Sequence, residues 1–325
     1  STVIFSTDYG DTQNLWAARF SGDGTTIGET GRITAGASQE IDPTCAANGS
    51  IAFANSDGRA YIAWLPFDAV RGGATGGLAR ITSGFAKEEH PSLSADGQRI
   101  AFISEQSGVR SVWIRDLTTR KETRVAPSAF VQRFPELSAS GNRIAFSSYE
   151  RDKRLVYTVA SAGGTPELIC ADCLRATDWS RDETELLLMD GNPYRISTIH
   201  AVTGRRTVLI QHASFHALYG QFSPDNRWIS FTVRRPNNRS WIAIAPLEGT
   251  ARPIGEEAWI KVSEEGPEDR ANWSANGKTL YFTSARDGRL CLWGQHIDLA
   301  THRLGGAAFS AYHFHPVPYT HLTLP

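Results

Sequence analysis

His90-Pro91-Ser92-Leu93-Ser94-Ala95-Asp96-Gly97-Gln98-Arg99-Ile100-Ala101-Phe102 is the stretch whose reading decides the fold. Asp96-Gly97 marks a hairpin, because a tight turn needs a residue at positive φ and glycine adopts that region at little cost. From Arg99 to Ser104 the residues run into a β-branched and aromatic strand. The closing triplet returns as Val3-Ile4-Phe5, Ile51-Ala52-Phe53, Ile144-Ala145-Phe146, Leu186-Leu187-Leu188, Ile229-Ser230-Phe231 and Leu280-Tyr281-Phe282, at spacings of 42 to 51 residues. The turn before it keeps its chemistry in Asn48-Gly49, Ser140-Gly141, Asp225-Asn226 and Asn276-Gly277. Asp182-Glu183 departs from it. A glutamate at positive φ costs about 1 kcal/mol, so that unit is expected to turn differently or to be weaker.

A third strand follows each triplet, as in Val112-Trp113, Val156-Tyr157, Trp241-Ile242 and Leu292-Trp293, and a fourth closes the unit, as in Glu122 to Ala126 or Thr207 to Ile210. A period of roughly 40–50 residues with four short strands marks the blades of a β-propeller. Such sheets are too small to stand alone and shelter their apolar faces on neighbours.

The pattern Pro-x-x-Ser-x-Asp-Gly-x-x-Ile-Ala-Phe-x-Ser, carried by Pro91 to Ser104, resembles the PD40 (WD40-like) repeat of TolB-type β-propellers. The likeness extends over nearly the whole chain. It implies an all-β propeller of four-stranded blades, seven in number with the first incomplete. The expected units are a partial blade over 1–36 and blades over 37–84, 85–127, 128–171, 172–213, 214–262 and 263–310, within a domain spanning 1–318. Residues 309–318 are expected to supply a closing strand to the incomplete first blade, and 319–325 read as a non-native tail. The last unit, Trp259 to His315, is similar to the end of propellers appended to bacterial kinases or winged-helix regulators. That implies a sensor or interaction part of a larger bacterial protein.

Of 325 residues 41% are hydrophobic, with nine Trp and fifteen Phe, enough for a sizeable core. A formal net charge of −1 gives no basic field for nucleic acid. No apolar run reaches the ~20 residues of a membrane-spanning helix. A monomeric propeller without a cofactor is expected.

Several motifs invite chemistry. Ser6-Thr7-Asp8-Tyr9-Gly10-Asp11-Thr12 matches much of the sialidase Asp-box, but Gln13 stands where an aromatic should follow, so it reads as a hairpin. Arg71 to Gly77 is glycine-rich, yet Leu78 to Thr82 after it reads as a strand, and a phosphate loop needs a helix there. Cys170-Ala171-Asp172-Cys173 and His212-Ala213-Ser214-Phe215-His216 occupy equivalent links of adjacent blades. Cys170, Cys173, His212 and His216 have the donor set of a Cys₂His₂ zinc site; reduced or vicinally paired cysteines and solvated histidines are the plainer reading. His313 and His315 fall on one side of an expected strand. No Gly-x-Ser-x-Gly elbow of an α/β-hydrolase is present. The carboxylates Asp42, Glu89, Glu136 and Asp178 sit where strand starts commonly carry polar residues.

Links from an outer to an inner strand surround one mouth of a propeller channel, and loops on rigid scaffolds carry function. A non-catalytic site for a protein partner or small ligand is therefore expected there. Its segments are 39–43, 87–91, 132–135, 173–178, 216–221 and 267–272. The candidate residues are Glu40, Asp42, Glu88, Glu89, His90, Arg133, Asp178, His216, Glu268, Asp269 and Arg270. The alternative is the regulatory propeller of a prolyl-oligopeptidase-type hydrolase whose catalytic domain lies outside this chain.

Overall fold

The structure, a computed structural model, describes residues 2–7, 14–20, 27–33, 39–45, 51–56, 62–64, 66–68, 73–77, 79–82, 86–247, 253–288, 291–301 and 303–313. They fall into two compact units. In the smaller, β1 (Thr2–Thr7), β2 (Asn14–Phe20) and β3 (Ile27–Arg32) form an antiparallel sheet, and β4 (Gln39–Cys45) pairs with β5 (Ile51–Ser56).

The larger unit begins with four two-residue strands, β6 (Ala63–Trp64), β7 (Phe67–Asp68), β8 (Gly73–Ala74) and β9 (Ala79–Arg80), in which β6 pairs with β9 and β7 with β8. Five four-stranded antiparallel blades follow. The first comprises β10 (Glu88–Leu93), β11 (Arg99–Ser104), β12 (Ser111–Asp116) and β13 (Glu122–Arg124). The second holds β14 (Val131–Leu137), β15 (Arg143–Glu150), β16 (Lys153–Ala160) and β17 (Glu167–Ala171). The third is β18 (Cys173–Trp179), β19 (Glu185–Asp190), β20 (Arg195–His200) and β21 (Arg206–Ile210). The fourth is β22 (His216–Phe222), β23 (Trp228–Arg234), β24 (Ser240–Pro246) and β25 (Ile260–Lys261). The fifth is β26 (Asp269–Trp273), β27 (Thr279–Ser284), β28 (Cys291–Asp298) and β29 (Arg303–Tyr312).

The fold is thus an all-β propeller of four-stranded blades, but the described residues form five such blades where the repeat arithmetic expects seven with one incomplete. The segment 37–84, expected as one blade, is divided among three two-stranded pairs. Pro66 follows Trp64-Leu65 where a third strand should run and offers no N–H to a ladder, and the glycines of 72–77 bring no side chains to pack. Residues 309–312, expected to close the first blade, end the fourth strand of the last one, paired with β28. His313 lies just past that strand rather than in it. His315, the Asp-box-like turn at 8–12 and the tail at 319–325 lie outside the described residues.

The second strand of each blade is buried on both faces because a blade is covered by two neighbours. Phe102, Phe146, Leu188, Phe231 and Phe282, each closing a repeat triplet, are 0–2% exposed. Apolar clusters straddle successive blades: Ala101 and Ile103 with Leu137 and Phe146, Ala145 and Val156 with Trp179 and Leu188, Leu187 and Ile196 with Ile229 and Phe231, and Ile242 and Ile244 with Leu280 and Phe282.

The repeat's serine and aspartate are explained by the turn they build. Ser94 Oγ donates to Asp96 Oδ1 at 2.5 Å and accepts from the Arg99 N–H at 3.0 Å, while Gly97 takes φ 67°. That hydroxyl holds the Asp96 carboxyl below the usual range. Ser180–Asp182, Ser223–Asp225 and Ser274–Asn276 repeat the device. The aberrant unit does not turn differently: Glu183 takes φ 58° in the same turn. Its Oε1 accepts from the Ser140 N–H of the preceding blade at 2.7 Å, a bond glycine could not make.

Candidate functional site

The inner strands β10, β14, β18, β22 and β26 line one cavity of about 540 Å³, with Ile62 and Trp64 completing its wall. Four of them are kinked alike. The register slips between Glu89 and Ser92, Arg133 and Glu136, Leu218 and Gln221, and Asp269 and Asn272. Inside these bulges His90, Phe134, Tyr219 and Arg270 take φ of 56°, 52°, 53° and 46°. A bulge re-aims a side chain and frees its residue from the ladder, and it is also where Pro91 and Pro135 cost no ladder bond. The fifth inner strand, β18, shifts register twice and contributes Arg175.

His90, Arg175, Tyr219 and Arg270 line the cavity, and Phe134 stacks against His90 and Arg175 behind them. His90 meets Phe134 edge-on with centroids 4.6 Å apart. The Arg175 guanidinium lies 4.3 Å from the Phe134 ring centroid and 5.7 Å from that of Tyr219, and Arg270 lies 4.9 Å from Tyr219. The rim therefore alternates aromatic faces with cations, each held by cation–π attraction.

Two carboxyls stand in the same wall. Glu136 Oε1 accepts from Arg175 at 2.7 Å, yet burial outweighs that partner and pushes its pKa up to about 7. Asp178 accepts from the Phe222 N–H at 2.8 Å and the Trp179 N–H at 2.9 Å. Burial, with the neighbouring Glu136 charge adding to it, pushes its pKa up to about 8. Asp178 thus keeps its proton near neutrality, while Glu136 stands near the midpoint of its titration. Hydrogen bonds link the wall strand to strand: Leu137 N–H to Ser92 Oγ at 2.9 Å, Trp179 Nε1 to the Glu136 carbonyl at 3.0 Å, and Gln221 Nε2 to Asn272 Oδ1 at 3.0 Å. Thr177, 4% exposed, also lines the cavity, and its hydroxyl finds no partner among the described residues.

Of the residues expected at the mouth, His90, Asp178 and Arg270 reach this cavity. The others are engaged elsewhere. Glu88 is 3% exposed and hydrogen-bonded to Thr82, and Glu89 pairs with Arg110. Arg133 lies over Tyr149 at 5.4 Å, and His216 Nδ1 accepts from the Tyr194 N–H at 3.0 Å. Glu268, 2% exposed, accepts from Ser284 and Arg286, both at 3.0 Å, and Asp269 pairs with Arg234 at 3.3 Å. Glu40 and Asp42 belong to β4 of the smaller unit, and their side chains lie outside the described residues.

The Cys₂His₂ set does not assemble. Cys170 and Cys173 are joined in a disulfide and offer no thiolate. His212 stacks on Phe215 at 4.1 Å and faces Glu256 at 3.3 Å. Glu136, read from sequence as structural, is a wall residue, and Phe134, Arg175 and Tyr219 fall inside the expected segments without standing out there. The signal for two of them is positional: Phe134-Pro135 and Tyr219-Gly220 occupy the place of His90-Pro91 in the repeat.

Five repeated blades around such a cavity make this a β-propeller, and its fold is similar to that of TolB structures. A TolB-type protein of Agrobacterium tumefaciens superposes with a TM-score of 0.59 at 19% identity, over 74% of this chain and 85% of that one. TolB of Acinetobacter baumannii gives 0.59 at 12% identity, over 91% and 76%. An oligogalacturonate lyase in complex with manganese gives 0.54 at 10% identity, over 97% and 74%. At these identities the likeness is one of fold. No protein-family model matches the chain, and no curated protein matches it in sequence. No helix among the described residues is long and apolar enough to cross a membrane.

Proposed function

We propose that the chain is a non-catalytic binding module whose ligand, a segment of a partner protein or a small molecule, sits on the rim of His90, Phe134, Arg175, Tyr219 and Arg270. The observation that carries this is the continuous aromatic–arginine stack around a cavity of about 540 Å³, within the roughly 300–1,000 Å³ of small-ligand sites. The exposed Arg270 and buried Arg175 favour a ligand with a carboxylate or planar group, and the raised pKa values of Glu136 and Asp178 lessen the negative charge that would repel it. The lyase neighbour is an enzyme, but its likeness reaches the fold alone. A catalytic α/β-hydrolase segment in the same reading frame would instead support the regulatory-propeller alternative.

The test is a thermal-shift screen of short synthetic peptides and small carboxylates, with hits measured by calorimetry. Loss of ten-fold or more in affinity for Tyr219→Ala and Arg270→Ala supports the site. Hits that bind both variants as well as the parent protein would place the ligand elsewhere.

A further inference from the structure

At the outer edge of the fifth blade, away from the channel, three side chains converge. Cys291 opens β28, Asp287 precedes it in the β27–β28 hairpin, and His313 follows the end of β29. Their ligand atoms all lie within 4.8 Å of one another. His313 Nδ1 is 3.1 Å from Cys291 Sγ and 3.3 Å from Asp287 Oδ2, and its Nε2 is 2.7 Å from Ser310 Oγ.

His313 Nδ1 thus lies against a sulfur and a carboxylate oxygen at once, and nitrogen, sulfur and oxygen donors gathered this closely suit a divalent cation of borderline softness. Ligands about 2.0–2.3 Å from a tetrahedral zinc ion stand about 3.3–3.8 Å from one another, close to the 3.1 and 3.3 Å from His313 Nδ1 to its two neighbours, and the third pair lies within 4.8 Å. The Ser310 contact is the outer hydrogen bond that fixes the ring and tautomer of a metal-bound histidine. Cys291 is buried, while Asp287 and His313 reach solvent, which leaves a fourth position to water.

We infer that Asp287, Cys291 and His313 form a binding site for a thiophilic divalent cation of the zinc type. Bound metal would tie the end of the last strand to the hairpin beside it. Binding displaces the thiol proton, so affinity rises with pH.

Titration of the intact protein with Co²⁺, followed by Zn²⁺ competition, tests this. The expected result is one equivalent of cobalt with a thiolate-to-cobalt charge-transfer band, abolished by Zn²⁺. The band should persist in Cys45→Ser and vanish in Cys291→Ser, and Asp287→Asn should weaken affinity at least ten-fold. Thermal unfolding should shift upward with Zn²⁺ in the parent protein and not in His313→Ala, as mass action requires. No band in the folded parent protein, or a band that survives Cys291→Ser, would overturn the assignment.

Discussion

Single hydroxyls do much of the specifying here. Ser223 is 1% exposed, donates to Asp225 Oδ1 at 2.5 Å and accepts from the Trp228 N–H at 2.9 Å. Ser223→Ala should therefore cost about 1–2 kcal/mol, because a buried N–H loses its acceptor; the urea midpoint measures it. Asp190, 2% exposed, receives Arg195 at 2.5 Å, Ser197 at 2.9 Å and Arg206. The two guanidinium groups are 36% and 33% exposed and keep water, so Asp190→Asn should cost about 1–2 kcal/mol, and no measurable loss would show that solvent already satisfies them. The channel carboxyls set a pH dependence. Glu136 and Asp178 titrate near 7 and 8 when folded and near 4 when unfolded. The unfolded chain sheds those protons first, so stability should fall as pH rises from about 4, on the order of 1 kcal/mol per unit for each group, with Glu136 contributing up to about 7 and Asp178 up to about 8. Glu136→Gln should flatten part of that slope. A profile that is level in the parent protein would mean both groups are ionised in the fold.

At the scale of strands and blades, what was legible in sequence was whatever local chemistry dictates. The Ser-x-Asp-Gly turn and the apolar strand after it are set within a dozen residues, so the four-stranded units from 88 onward follow from them. The split of 37–84 was not legible, because the repeat triplet Ile51-Ala52-Phe53 is intact and Pro66 interrupts only later. The rim was half legible: position in the repeat marks His90 and Arg270, but whether Arg175 faces a cavity depends on two register shifts within β18. Blades also meet more closely than sequence tells. A Cβ on Gly220 would lie 3.0 Å from Ile196 in the neighbouring blade. Gly220→Val should thus destabilise by about 1–3 kcal/mol through overpacking, and Ile196→Ala in the same chain should recover part of the loss. Simple addition of the two costs would argue that the blades do not touch there.

Among the described residues of the larger unit, four apolar clusters are each shared by two successive blades and a fifth joins the first blade to Ile62 and Ile81, so no blade keeps its core when a neighbour is removed. Residues 88–313 should unfold in one calorimetric transition, and a chain cut after 262 should precipitate, since Trp228, Ile242 and Ile244 would lose the cover of Leu280 and Phe282. Two separated transitions within this stretch would contradict that sharing. The kinked inner strands have a different consequence. Because the bulge, and not the side chain, sets the direction in which positions 90, 134, 219 and 270 point, the contacts proposed for the ligand can be changed one blade at a time, wherever the new residue tolerates a positive φ.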